Sequence, residues 1–243
     1  SGDRTAKVWN LDSGECELTI SGSSWARCAV FSPDDSMVLA AFGDGVAELW
    51  SMGTSKRVHT WRAHSNWVAS VSFSADGRSL LSASGDTTAK LWDMESFASI
   101  RTFHGHSSWV RVASFSPDEQ RVLTAGHDGT TKLWSVQSGA CLFTLGDRNP
   151  DACPFSILSP DGVRIVTATS NGRAKVWDAE TGELLRTLEG HRQVVNCFAF
   201  TPDGLLIATA SKDHTARIWD TETGAHLRTF VGHTRSLSCI AFS

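Results

Sequence analysis

The sequence predicts an all-β protein assembled from six copies of one unit about 42 residues long. Three observations carry this. Six tryptophans, Trp9, Trp50, Trp92, Trp134, Trp177 and Trp219, are separated by 41, 42, 42, 43 and 42 residues. Between them lie short runs with alternating apolar positions, bounded by Gly, Pro, Asp and Ser. Such runs at regular spacing mark antiparallel strands joined by turns. Helical periodicity is absent throughout.

The unit over residues 63–103 shows the plan most clearly. Strands are predicted at Trp67–Phe73, Arg78–Ala83, Thr88–Trp92 and Ala98–Phe103, with turns at Ser74–Gly77 and Ser84–Asp86. In the other copies Phe31, Phe115, Phe200 and Phe242 end the first strand as Phe73 does, and Leu158 takes that place once. A Pro-Asp pair follows at Pro33-Asp34, Pro117-Asp118, Pro160-Asp161 and Pro202-Asp203. Proline presets φ for a turn corner, and aspartate bonds the backbone beyond it.

Ser1 to Trp9 aligns with Ser84 to Trp92, and Cys239 to Ser243 aligns with Ser70 to Ser74. The counterpart of residues 75–83 is missing at the join. Five copies are therefore complete, and the sixth is split between the two ends and lacks a strand. One domain over residues 1–243, cut from a longer chain, is expected.

Composition narrows the function. The net charge is −4, and no run of Lys or Arg forms a stripe for phosphates, so a nucleic-acid partner is not expected. No apolar stretch reaches membrane-spanning length, and no secretory leader pattern is present. The six cysteines lack metal-ligand spacing, and Cys28, Cys197 and Cys239 share one repeat position while Cys16 and Cys141 share another. Both positions are expected to be buried apolar slots, and free thiols fit a reducing compartment, cytoplasmic or nuclear, and not a secreted protein. No metal or cofactor is expected. His104-Gly-His106 is the nearest approach to a ligand pair, and it reads as a strand end.

Gly105-His106, Ser116-Pro-Asp118, Asp128 and Leu133-Trp134 form one ordered set of motifs. Gly190-His191, Thr201-Pro-Asp-Gly204, Asp213 and Trp219-Asp220 form another. Several such sets in register resemble the WD-repeat β-propeller family over the whole chain. The resemblance implies four-stranded antiparallel blades, arranged in that family around a channel. It also implies a scaffold that binds protein or peptide partners, not an enzyme. Two other roles stay open: a regulatory propeller within a larger signalling protein, and a substrate receptor of a ubiquitin ligase. For the second, the family's docking arginine is replaced by Glu95, Glu180 and Glu222.

A polar quartet recurs: His64, Ser82, Asp86 and Trp92; His106, Thr124, Asp128 and Trp134; His191, Thr209, Asp213 and Trp219. Ser, His and Asp together suggest nucleophilic catalysis. Chemistry needs one such set at one pocket, whereas this set is repeated. The resemblance implies a hydrogen-bonded relay inside each blade. Two copies depart from it. One has Ser23 near the His position and Ala40 for the hydroxyl. The other has a longer Gly146–Asp151 segment, Pro154 in its inner strand and Asn171 for the Asp, and is expected to be the most irregular.

Trp25, Trp67 and Trp109 recur at intervals of 42, each at the entrance to a first strand. Arg27 and Arg111 follow two residues after the first and last. Tryptophan and arginine are frequent binding hot spots. These residues are expected to form an aromatic, basic arc for a peptide with apolar and acidic residues, with His127 and Lys212 as secondary candidates. The competing expectation is that the tryptophans pack against a neighbouring blade.

Overall fold

The computed structural model describes residues 1–146 and 155–242, and every regular element among them is a β-strand. The chain divides into two compact units, Ser1–Ala113 and Ser114–Ser243.

The first unit opens with a two-stranded sheet of β1 (Thr5–Trp9) and β2 (Cys16–Ser21). A four-stranded sheet follows in chain order: β3 (Ala26–Phe31), β4 (Met37–Phe42), β5 (Val46–Ser51) and β6 (Arg57–Arg62). The next has the same order: β7 (Val68–Phe73), β8 (Ser79–Ser84), β9 (Ala89–Asp93) and β10 (Ser99–Phe103). The unit boundary falls within β11 (Val110–Phe115), which heads a sheet continued by β12 (Arg121–Gly126), β13 (Thr131–Ser135) and β14 (Cys141–Leu145). The second unit goes on with β15 (Ser156–Leu158), β16 (Arg164–Ala168), β17 (Ala174–Asp178) and β18 (Leu184–Leu188). Its last sheet is β19 (Val195–Phe200), β20 (Leu206–Ser211), β21 (Ala216–Asp220) and β22 (His226–Phe230). Consecutive strands pair antiparallel, as the short turns between them require.

Each four-stranded sheet is covered on both faces along its second strand. Five of the six residues of β4, β8, β12 and β20 are buried, and these strands are made of aliphatic and small residues with few charges. In the first unit Leu39, Ala41 and Leu49 of one sheet share a core with Val68, Val71 and Leu80 of the next. In the second, Val166, Val176 and Leu188 meet Val195, Phe198 and Ile207. The fourth strands are far more exposed.

The four Pro-Asp turns, and the matching Ala75-Asp76 turn, acquire a partner that the dipeptide alone did not show. The residue two before the aspartate, Ser32, Ser74, Ser116, Ser159 or Thr201, donates its hydroxyl to that carboxylate. The same hydroxyl oxygen accepts the backbone N–H at the start of the second strand, as from Met37 at 3.0 Å and Ser79 at 2.9 Å. The residue after the aspartate is left-handed in all five turns. Glycine fills it three times, while Asp35 and Glu119 hold φ of 56° and 55° there.

Two expectations need correction. Residues 231–242 form no strand, so Phe242 does not end one. A strand is held by a hydrogen-bonding neighbour, and the second strand that would pair with it is missing from the sequence. Cys16 and Cys141 are exposed at the starts of β2 and β14, and Cys239 is exposed too, so among the described cysteines only Cys197 is buried and Cys28 half-buried. Burial pushes the Cys28 thiol up to about 12, so it is inert near neutral pH. The β15 strand has three residues, against six in β3, β7, β11 and β19. Residues 147–154, which include Cys153 and Pro154, lie outside the described residues.

Candidate functional site: the polar quartets and the strand entrances

The quartets are built by register. Ser82 on β8 sits opposite Lys90 on β9, two residues before Trp92, so the indole reaches across the strand pair to the hydroxyl. Trp92 Nε1 donates to Ser82 Oγ at 2.8 Å, Ser82 Oγ lies 2.7 Å from His64 Nε2, and His64 Nδ1 lies 2.8 Å from Asp86 Oδ2. In the last sheet the chain is Trp219 to Thr209 at 3.0 Å, Thr209 to His191 at 2.7 Å and His191 to Asp213 at 2.8 Å. Trp134 Nε1 donates to Thr124 Oγ1 at 2.8 Å, and His106 is buried. Each aspartate also accepts backbone N–H groups: Asp86 from Ser65 and Thr88, Asp213 from Arg192 and Thr215. The quartet thus fastens the loop before the first strand to the turn before the third.

The proton order follows from the indole, which only donates. At the other end an ionised carboxylate only accepts, so the Nδ1–H of the ring goes to it; the neutral ring then has only Nε2 left to accept, and the hydroxyl that accepts from tryptophan gives its proton there. Ser82 and Thr209 are 1% and 0% exposed, so neither hydroxyl can meet a substrate.

Burial works against ionisation of Asp86 and Asp213, but hydrogen bonds from His64 and Thr88 in one case, and from Thr215, Arg192 and His191 in the other, outweigh it. Both stay well below the usual carboxylate range. Burial holds His191 below the usual imidazole value, against the opposing pull of Asp213. All three groups bind protons more weakly folded than unfolded, so each adds stability above its unfolded value and loses it on acidification. The urea midpoint is therefore expected to be level between about pH 7 and pH 8, and to fall at higher pH as the Cys28 thiol ionises in the unfolded chain first. It should begin to fall below about pH 6.5 as His191 charges and fall further below about pH 4 as the carboxylates protonate. A midpoint that rises on acidification below about pH 7 contradicts this.

The two irregular quartets are rebuilt with other residues. Ser23 donates its hydroxyl to Asp44, in the place of His64 and Asp86. Ala40 offers Trp50 no acceptor, and Trp50 Nε1 instead donates to Glu48 Oε2 at 3.0 Å. Glu48 is buried, and Arg57 Nη1 pairs with it at 3.0 Å. A signal for this was present in the sequence: the position holds Lys7, Lys90, Lys132, Lys175 and Arg217 in the other copies, so Glu48 is a reversal of charge. In the remaining copy Trp177 Nε1 donates to Thr167 at 2.9 Å, and Asn171 accepts from Thr169 at 2.6 Å.

The strand entrances carry the other candidates. Trp25 and Trp109 are 58% and 48% exposed, whereas Trp67 is half-buried. Arg27 does not simply lie along its strand beside Trp25. The register of β3 against β4 slips between Ala26 and Cys28, so Arg27 is the extra residue of a bulge. Bulges re-aim side chains, and the Arg27 guanidinium lies 4.6 Å from the centre of the Trp67 ring. Trp67 meets Trp109 edge-to-face with ring centres 5.4 Å apart. The Trp67 indole covers Gly85 so closely that a Cβ there would sit 2.5 Å from Cε2. Arg111 is exposed. In the second unit His127 is half-buried and Lys212 exposed; Lys212 N donates to Val194 O, where Gly85 N donates to Trp67 O in the first. Asn196, in the bulge position of Arg27, is bonded to Ser236 and Leu237.

Among the described residues no group of His, Cys, Asp and Glu could hold a metal ion, and no helix is long and apolar enough to cross a membrane.

Comparison with known proteins agrees with this architecture. Three relatives match short pieces. Protein tipD of Dictyostelium discoideum is 36% identical over 64 residues, 26% of this chain and 10% of that protein. Apoptotic protease-activating factor 1 of Danio rerio is 39% identical over 57 residues, 23% of this chain and 4% of that protein. Nuclear distribution protein PAC1 of Arthroderma otae is 34% identical over 56 residues, 23% of this chain and 12% of that protein. The chain thus matches about a tenth or less of each relative's length. The family described as "WD domain, G-beta repeat" matches residues 14–51, 55–93, 97–135, 139–178 and 182–220. With five matched repeats covering most of its length, each ending at or next to a ladder tryptophan, the chain belongs to the WD-repeat family.

Proposed function

We propose that this WD-repeat protein is a non-enzymatic interaction scaffold that captures acidic, apolar peptide segments at the strand entrances of its first unit. The observation that supports it is the continuous row of Arg27, Trp67 and Trp109, drawn from three successive repeats and flanked by exposed Trp25 and Arg111. Stacking on Trp67 fixes the Arg27 guanidinium while its N–H edges stay available to a carboxylate. The half-exposed indoles offer rigid apolar area. The quartets are assigned to holding loops in place, since the Ser82 and Thr209 hydroxyls are buried and already engaged on both sides.

Selection from a random peptide library displayed on phage tests the reading. Enriched peptides should combine Asp or Glu with large apolar residues. Trp25→Ala and Trp109→Ala should each weaken them by about tenfold or more, with the thermal midpoint unchanged. Peptides that bind both variants as tightly as the parent would contradict it.

A further inference from the structure

At the opposite ends of β3 and β7, the turns of the first two four-stranded sheets border a cavity of about 420 Å³. Its floor is Met37, Leu49, Phe73 and Met94, and Asp34 and Asp76 stand at its rim. In the corresponding groove between the sheets headed by β11 and β15, an arginine reaches across to the facing carbonyls. Arg121, in the repeat position of Met37, donates Nη2 to Gly162 O at 3.0 Å and Nη1 to Ala179 O at 2.9 Å, with Asp118 at 4.0 Å. One groove further on, Arg164 takes the position and pairs with Glu222. The backbone frame around Met37 is the same. Ser32 N bonds Met37 O as Ser116 N bonds Arg121 O, and Met94 N bonds Arg78 O as Ala179 N bonds Val163 O. A Cβ on Gly77 would meet Pro33 at 3.4 Å, as one on Gly162 would meet Pro117 at 3.3 Å.

A thioether has no proton to give. The Gly77 and Met94 carbonyls, equivalents of the two that Arg121 satisfies, receive nothing from Met37. We infer that this groove is an arginine-binding site, in which a guanidinium from a partner peptide takes the place that Arg121 fills two repeats later. The stem of the incoming side chain would lie on the Met37, Phe73 and Met94 floor, and its head would reach the two carbonyls and Asp34. Hydrogen bonds from Ser32 and Ser36 pull Asp34 down to about 2, so its charge is present at neutral pH. The site is independent of the tryptophan row, being formed at the other ends of the same strands.

The chain has three methionines, and two of them line the groove. Met52 is the third and serves as the internal control. With the methionine methyl groups labelled with carbon-13, titration with N-acetyl-arginine N-methylamide should shift Met37 and Met94 and leave Met52 in place. The expected dissociation constant is on the order of 1 mM. The citrulline analogue, with the same shape and no charge, and the lysine analogue, with the charge and no fork, should each bind about tenfold more weakly. Met37→Arg should abolish the Met94 shift while Met52 keeps its folded position. Should that variant not fold, Asp34→Asn should weaken arginine binding at least about fivefold. No saturable shift, equal shifts from citrulline or lysine, or undiminished binding in a folded Met37→Arg or in Asp34→Asn would overturn the assignment.

Discussion

Replacing Thr209 with valine is expected to lower the unfolding free energy by about 2–5 kcal/mol, although shape and volume hardly change. The hydroxyl is 0% exposed and accepts from Trp219 Nε1 while facing His191 Nε2. Valine leaves an indole N–H and an imidazole nitrogen without partners in a site water does not reach. Each such group costs about 1–3 kcal/mol. Thr209→Ser keeps the hydroxyl and should stay within about 1 kcal/mol of the parent, since Ser82 does the same work in another sheet. Equilibrium unfolding in urea reads both. A valine variant as stable as the serine one would mean that the quartet contributes nothing to the fold.

The second large effect is a rescue. Glu48→Lys installs the residue type found at this position in the other copies, yet it should cost about 2–4 kcal/mol. Trp50 loses its acceptor, and Arg57 faces a like charge in place of its partner. Adding Ala40→Ser returns an acceptor directly across from residue 48 on the neighbouring strand. The serine should then accept from Trp50 as Ser82 accepts from Trp92, and the double variant should recover at least about 1 kcal/mol relative to Glu48→Lys alone. Strict additivity of the two changes in unfolding free energy would show that Ala40 and Glu48 are not coupled.

These cases show where the sequence was legible. Strands repeat by position, so aligning the copies located β7 to β10 within a residue at most ends. The quartets were found the same way, because their spacing does not change. Two kinds of feature were not visible. One depends on a single slipped residue: the bulge at Arg27 leaves no mark in composition, yet it moves the guanidinium to Trp67 of the next repeat. The other depends on exchange of partners. Glu48 departs from a column that is otherwise basic, while the column of Met37, with Ser79, Arg121, Arg164 and Leu206, varies freely. Only coordinates show that Arg57 compensates the first and that Arg121 bonds two carbonyls across its groove. The end of the chain fails for a third reason. Residues 238–242 carry a strand's pattern, but a pattern does not supply the neighbouring strand.

The account rests on the buried hydroxyls of Ser82 and Thr209 each giving a proton to a histidine and taking one from a tryptophan. Nitrogen-15 NMR of the histidine side chains at pH 7.5 reads this directly. His191 should be neutral with its proton on Nδ1, and the Trp219 indole N–H should exchange slowly with solvent. A proton on Nε2 of His191, facing Thr209, together with rapid indole exchange, would contradict it.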